Sequence, residues 1–178
     1  MTKLPPRLLN ATSRPLSIES FFRTSEVAPA AGERMLLGYP LPPWQREEKW
    51  SLEQKIKFIE GVFLGLGTGT FVINGMEFQG DGLAPFAGWL LDGQQRLSAI
   101  RDFHAGLFPV FGDTYWNDIP LVEQRRRFLY VIFPCSEMSY TDDEDLLKEV
   151  YRRLNFSGTP HTPEDLDALG DAPRPAGC

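Results

Sequence analysis

The chain has 178 residues, 42% of them hydrophobic, with 13 Phe and 4 Trp, enough for one packed core without staples. A formal net charge of −6 speaks against a protein that coats nucleic acid by bulk charge. Two cysteines, Cys135 and Cys178, build no disulfide framework; there is no CxxC pair for zinc, and no apolar run approaches a membrane span.

Met1–Arg7 lacks the apolar stretch of a secretory leader, so a cytoplasmic protein is expected. Residues 1–16, rich in Pro and Arg, read as an irregular arm, 17–169 as a single domain, and 170–178 as a tail that frays. Ser17 ahead of Ile18, Phe21 and Phe22 predicts a short capped helix. Glu33–Tyr39 suits a strand that Pro40, Pro42 and Pro43 would end. Ser51 and Gln54 form a capping box, and Leu52, Ile56, Ile59 and Phe63 then repeat on one helical face. Gly65, Gly67 and Gly69 break that helix. The run Gly65-Leu66-Gly67-Thr68-Gly69-Thr70 looks superficially like a phosphate loop, but no Lys-Ser/Thr follows and a strand comes next. It reads as a flexible turn, a candidate lid.

Thr70–Ile73 is a β-branched and aromatic strand, and Asn74-Gly75 signals a hairpin. Trp89-Leu90-Leu91 reads as a short buried strand, and Gln94–Phe103 as a helix with Leu97 and Ile100 inward. Phe128–Phe133 is a third expected strand. Thr141–Glu144 puts acid at the start of a helix to Leu154, with Leu146, Leu147 and Val150 inside. Thr162-Pro163-Glu164-Asp165 opens a last short helix. This order of elements predicts an α+β fold.

The segment with the most chemistry is Asp92-Gly93-Gln94-Gln95-Arg96. A buried strand delivers the chain to Asp92, and a helix leaves at about Gln94, so the unpaired N–H groups of its first turn attract an anion. Gly93 lets a ligand approach the backbone. Gln94 and Gln95 offer amide donors, and Arg96 offers a planar fork that matches phosphate oxygens. Asp92 suits capping the helix, orienting Arg96, or holding a metal-bound water. The plain alternative is a capped helix start with exposed polar residues. Elsewhere the bland reading prevails. His104 and His161 lack partners at metal spacing, Asp142–Asp145 is helix N-terminal acid ahead of a Mg²⁺ site, and Arg125–Arg127 and Arg152-Arg153 are solvated faces. Cys135 reads as structural, and core packing is the default for at least two of Trp44, Trp50, Trp89 and Trp116.

Asp92–Arg96 followed by Leu97-Ser98-Ala99-Ile100 resembles the DGQQR branch of the ParB/sulfiredoxin-like superfamily, found as the N-terminal domain of GmrSD-type modification-dependent restriction systems. Gln45-Arg46 with Trp50 is similar to its upstream element, and Arg153-Leu154-Asn155 with Gly158 to its downstream one, so the resemblance covers roughly residues 34–166. It implies a small mixed sheet flanked by helices that binds a nucleoside triphosphate with Mg²⁺, the phosphates at the DGQQR turn. Gln45, Arg46, Gly93, Gln94, Gln95, Arg96 and Asn155 would then bind nucleotide, with Asp92 and Arg96 catalytic and Asp92 the metal contact. Nothing like an HNH nuclease follows residue 166, so the sequence reads as a free-standing first domain. The leading expectation is a phosphoryl-transfer enzyme, an NTPase or kinase, acting on or regulated by modified DNA. The alternatives are a non-catalytic nucleotide- or DNA-sensing module and a ParB-like DNA-binding or nuclease protein.

Overall fold

A computed structural model describes residues 7–23, 34–80 and 82–156. The helix expected from Thr162, the tail, His161 and Cys178 lie outside the described residues. The elements are β1 (Ala11–Ser17), α1 (Ser20–Arg23), β2 (Arg34–Leu36), β3 (Tyr39–Leu41), α2 (Leu52–Phe63), β4 (Phe71–Ile73), β5 (Phe78–Gln79), β6 (Gly82–Leu83), β7 (Leu90–Asp92), α3 (Gln94–His104), α4 (Leu121–Gln124), β8 (Ile132–Met138) and α5 (Glu144–Phe156).

The main sheet is mixed and four-stranded, in the order β1-β8-β4-β7. β8 runs antiparallel to β1 and parallel to β4, and β4 runs antiparallel to β7. The strand period of two divides the core between two faces. Phe71, Ile73, Leu90, Phe133 and Cys135 join Ile59, Phe63, Leu97, Ile100, Phe103 and Phe128 under α2 and α3. Val72, Leu91 and Met138 point the other way and pack with Trp89, Leu147 and Val150 of the α5 side. Because β4 and β7 are covered on both faces, they read in sequence as short unbroken apolar runs. The α+β expectation therefore holds: a small mixed sheet with helices against both faces.

Four local expectations need correction. The arm expected through residue 16 is strand from Ala11 onward; Arg14 pairs with Glu137 at 2.6 Å, and Pro15, on the edge strand of the sheet, lies opposite Pro134. The prolines after Tyr39 do not end a strand there, because Pro40 sits inside β3 opposite Met35 in a separate hairpin. Asn74-Gly75 is not a tight hairpin turn. Asn74 is fully buried, donating to the Phe86 and Thr141 carbonyls and accepting from the Gly75 and Thr141 N–H groups, so it ties three loops together. Finally, Phe128 and Leu129 belong to a π-helical turn, Arg125–Leu129, that continues α4; the strand begins only at Ile132.

Candidate functional site

β7 ends at Asp92, and Gly93 turns the chain into α3 with φ of 97°, the left-handed region. A Cβ at Gly93 would overlap Phe71 Cβ and lie 3.1 Å from Phe71 Cα, so the glycine is needed for the close approach to β4 as well as for the turn. The N-cap residue, Gly93, offers no side-chain cap to α3. Its first-turn N–H groups therefore have no side-chain acceptor from the N-cap position, while Gly93, Gln94, Gln95 and Arg96 border a cleft of about 240 Å³.

Across this turn lies the segment from Pro42 to Trp50. Arg34 donates to the carbonyls of Pro42 at 3.0 Å and Gln45 at 2.8 Å, which holds the backbone at Gln45. Gln95 Oε1 accepts from the N–H groups of Lys49 and Trp50, both at 2.9 Å, and so fastens the end of the segment to α3. Behind it, Lys55 donates to Asp102 at 2.5 Å and Glu48 at 3.1 Å, and Arg101 reaches Glu48 at 2.9 Å. Burial pushes the Glu48 carboxyl up, but the hydrogen bond from Lys55 and the charges of Arg101 and Lys55 lower it, leaving Glu48 below its ordinary value. This network holds Arg46 and Gln45 against the start of α3.

The third wall is α5. Asn155 donates to the Leu91 carbonyl of β7 at 3.3 Å and to the Tyr151 carbonyl at 2.9 Å. Trp44 packs edge-on against Trp89 and Tyr151 and donates to Glu144 at 2.9 Å. Tyr151, Leu154 and Asn155 thereby bring α5 to the cleft as a further wall.

All the residues expected to bind nucleotide, Gln45, Arg46, Gly93, Gln94, Gln95, Arg96 and Asn155, line this one cleft, and so does Asp92. Two of them also hold its walls together. Gln95 spends its side-chain oxygen on the neighbouring loop, and Asn155 spends its amide on backbone carbonyls. Gln45 is 5% exposed, and its Oε1 is buried with no hydrogen-bond partner among the described residues. Such an atom carries the cost of desolvation without compensation, which a ligand donor or water would relieve. Asp92 accepts from Arg96 at 2.9 Å. Trp50, Tyr151 and Leu154 were not expected to line the site. Trp50 and Leu154 lie within the quoted motifs, but which face they present depends on how α5 and the 42–50 segment pack.

Other candidates resolve as structure. His104 stacks on Phe22 at 3.8 Å and lies against Trp116 at 4.9 Å, and burial lowers its pKa. Cys135 sits within β8, where burial pushes its thiol up to about 12, far from a thiolate nucleophile. Asp143 accepts the Leu146 N–H at the start of α5. Among the described residues no three His, Cys, Asp or Glu side chains come together as a metal site, and no helix is long and apolar enough to cross a membrane.

Residues 31–167 match the family described as the GmrSD restriction endonuclease, N-terminal domain. This chain belongs to that family. The matched span holds the 42–50 segment, the Asp92–Arg96 turn and α5, so each wall of the cleft lies within the GmrSD N-terminal domain. No curated protein and no solved structure matches the chain.

Proposed function

We propose that this GmrSD N-terminal domain is the nucleotide-sensing module of a restriction system, binding a nucleoside triphosphate in the cleft and regulating a DNA-directed partner by its occupancy. One observation carries the reading: an uncapped helix start, two arginines and a buried glutamine whose side-chain oxygen has no partner among the described residues line a single cleft. The helix start and Arg96 supply donors for phosphate oxygens, Arg46 adds a second positive charge, and Gln45 offers a polar group to the remainder of the ligand. Trp50 and Tyr151 give the cleft aromatic surface that suits a base. Family membership supports the assignment to a restriction system.

A second reading, phosphoryl transfer, is favoured by Asp92 in the same cleft. Asp92 is the one carboxylate among the described residues that line it. That donor set fits Mg²⁺, which commonly takes one or two carboxylates and completes its shell with phosphate oxygens and water. A Mg²⁺ ion there would neutralise charge on the phosphates, while Asp92 would also keep Arg96 oriented toward them.

Calorimetric titration of ATP, GTP, CTP and UTP with Mg²⁺, paired with assays of phosphate release with and without DNA bearing hydroxylated bases, tests both readings. Binding is expected with little release; stoichiometric or faster release would transfer the conclusion to the enzyme reading. Arg96→Gln should weaken binding by about tenfold or more, the loss of a charge-assisted hydrogen bond. Unchanged affinity in that variant, or no triphosphate bound by the wild type, would overturn the phosphate assignment.

A further inference from the structure

The glycine-rich turn between α2 and β4 holds three residues in the left-handed region: Gly65 at φ 76°, Gly67 at φ 93° and Gly69 at φ 70°. Backbone conformation explains all three equally. Space separates them. A Cβ on Gly65 or Gly67 would meet nothing within 4 Å, whereas one on Gly69 would overlap Arg96 Nη1 and lie 3.4 Å from Arg96 Cζ. The guanidinium therefore lies directly against the bare Cα of Gly69.

The rest of the turn supports the same contact. Thr68 is buried, its carbonyl accepts from Arg96 Nη1 at 3.4 Å, and its hydroxyl donates to the Ile132 carbonyl at 3.0 Å. That last bond ties the turn to the start of β8, whose next residue, Phe133, sets its ring 5.7 Å from Arg96 Cζ. On the opposite side Asp92 accepts from Nη2 at 2.9 Å. The expected lid is thus a packed support.

We infer that the Thr68–Gly69 peptide is the seat of Arg96, a positioning element that directs its guanidinium toward an anion in the cleft; this rests on the phosphate reading above. An arginine free to rotate loses side-chain entropy each time it grips a ligand, whereas one already held between a carbonyl, a carboxylate and a ring loses little. The two bonds occupy one N–H on each terminal nitrogen, so donors remain on the guanidinium for phosphate oxygens. Gly69 is the position at which a side chain would displace the group without touching any other lining residue of the cleft.

Gly69→Ala and Gly67→Ala impose similar backbone strain, and only the first carries the clash. Affinity for the four nucleoside triphosphates and for inorganic triphosphate, each with Mg²⁺, should fall about tenfold or more in Gly69→Ala. In Gly67→Ala it should change less than about twofold. Without ligand, Gly69→Ala should lower the thermal midpoint more than Gly67→Ala does, and the gap should close in an Arg96→Met background. A gap of the same size in both backgrounds overturns the seat. Should Arg96→Met fail to fold, the Nε–Hε resonance of Arg96 decides: displaced in Gly69→Ala alone supports the seat, unmoved or displaced equally in both overturns it. A wild type that binds no triphosphate refutes the phosphate reading, while the unfolding measurements still judge the seat.

Discussion

α2 and α3 pack side by side, and their N-termini are joined by Gln95, yet the chain finishes them in opposite ways. At α2 the Ser51 hydroxyl accepts from the Gln54 N–H at 3.2 Å, and the Gln54 side chain returns the bond to the Ser51 N–H at 2.9 Å. That helix is complete within its own first turn. At α3 the N-cap is Gly93, with no side chain to offer. The comparison separates two uses of a helix start. One satisfies its donors locally and gains about 1 kcal/mol of stability. The other forgoes that gain, and its open turn is surrounded by Arg96, Arg46 and Gln45.

The largest effect expected from breaking this contrast is at Gly93. Gly93→Ala combines a left-handed φ with a Cβ forced into Phe71, and should cost about 3 kcal/mol in urea unfolding. A variant as stable as the wild type would show that β4 yields to the turn, and that the open helix start does not depend on the close approach.

Next comes the network that holds the two helix starts in register. Lys55→Met leaves Asp102 with Arg101 as its remaining partner and releases Glu48 on one side. A loss of about 1.5 kcal/mol is expected, together with weaker triphosphate binding through a loosened Arg46. The pH dependence has a definite sign. Glu48 has its folded pKa lowered, so its contribution is complete above its ordinary value of 4.5 and disappears as pH falls through the lower folded value. Unfolding midpoints followed from pH 6 downward should therefore drop less steeply in Glu48→Gln than in the wild type; parallel curves would remove Glu48 from the network's energetics. The smallest effect is at the closed start. Ser51→Ala should cost about 1 kcal/mol and leave triphosphate affinity unchanged, and a change in affinity would mean that the cap of α2 also shapes the cleft.

Much of this was legible in the residues themselves. The capping box of α2, the buried run of β4, the strand-to-helix turn at Gly93 and the apolar face of α5 arise from contacts within a few positions of one another. Local propensity and period therefore report them. The eventual cleft residues were legible too, because Gln45-Arg46, Asp92–Arg96 and Asn155 carry a recognisable pattern. Other features had no local signature. β1 is polar and contains Pro15, and it becomes a strand by pairing along its whole length with β8, which lies more than a hundred positions away in the chain. The π-helical turn at Arg125–Leu129 runs into Phe128–Phe133, a continuous stretch rich in aromatic and β-branched residues that reads as a strand.

What the sequence by itself determined about this protein is its main helices and central strands, its family and the residues that gather at the cleft. What only the tertiary structure decided is how those residues are spent. Gln95 and Asn155 fasten walls together, Gln45 is buried with an unmatched oxygen, and Gly69 makes room for a guanidinium. The physical reason is separation along the chain. Thr68 and Arg96 lie 28 positions apart, and Lys55 and Asp102 lie 47 apart, so no window of neighbouring residues contains either contact. Each forms only when the sheet brings its strands together and the helices settle on its two faces.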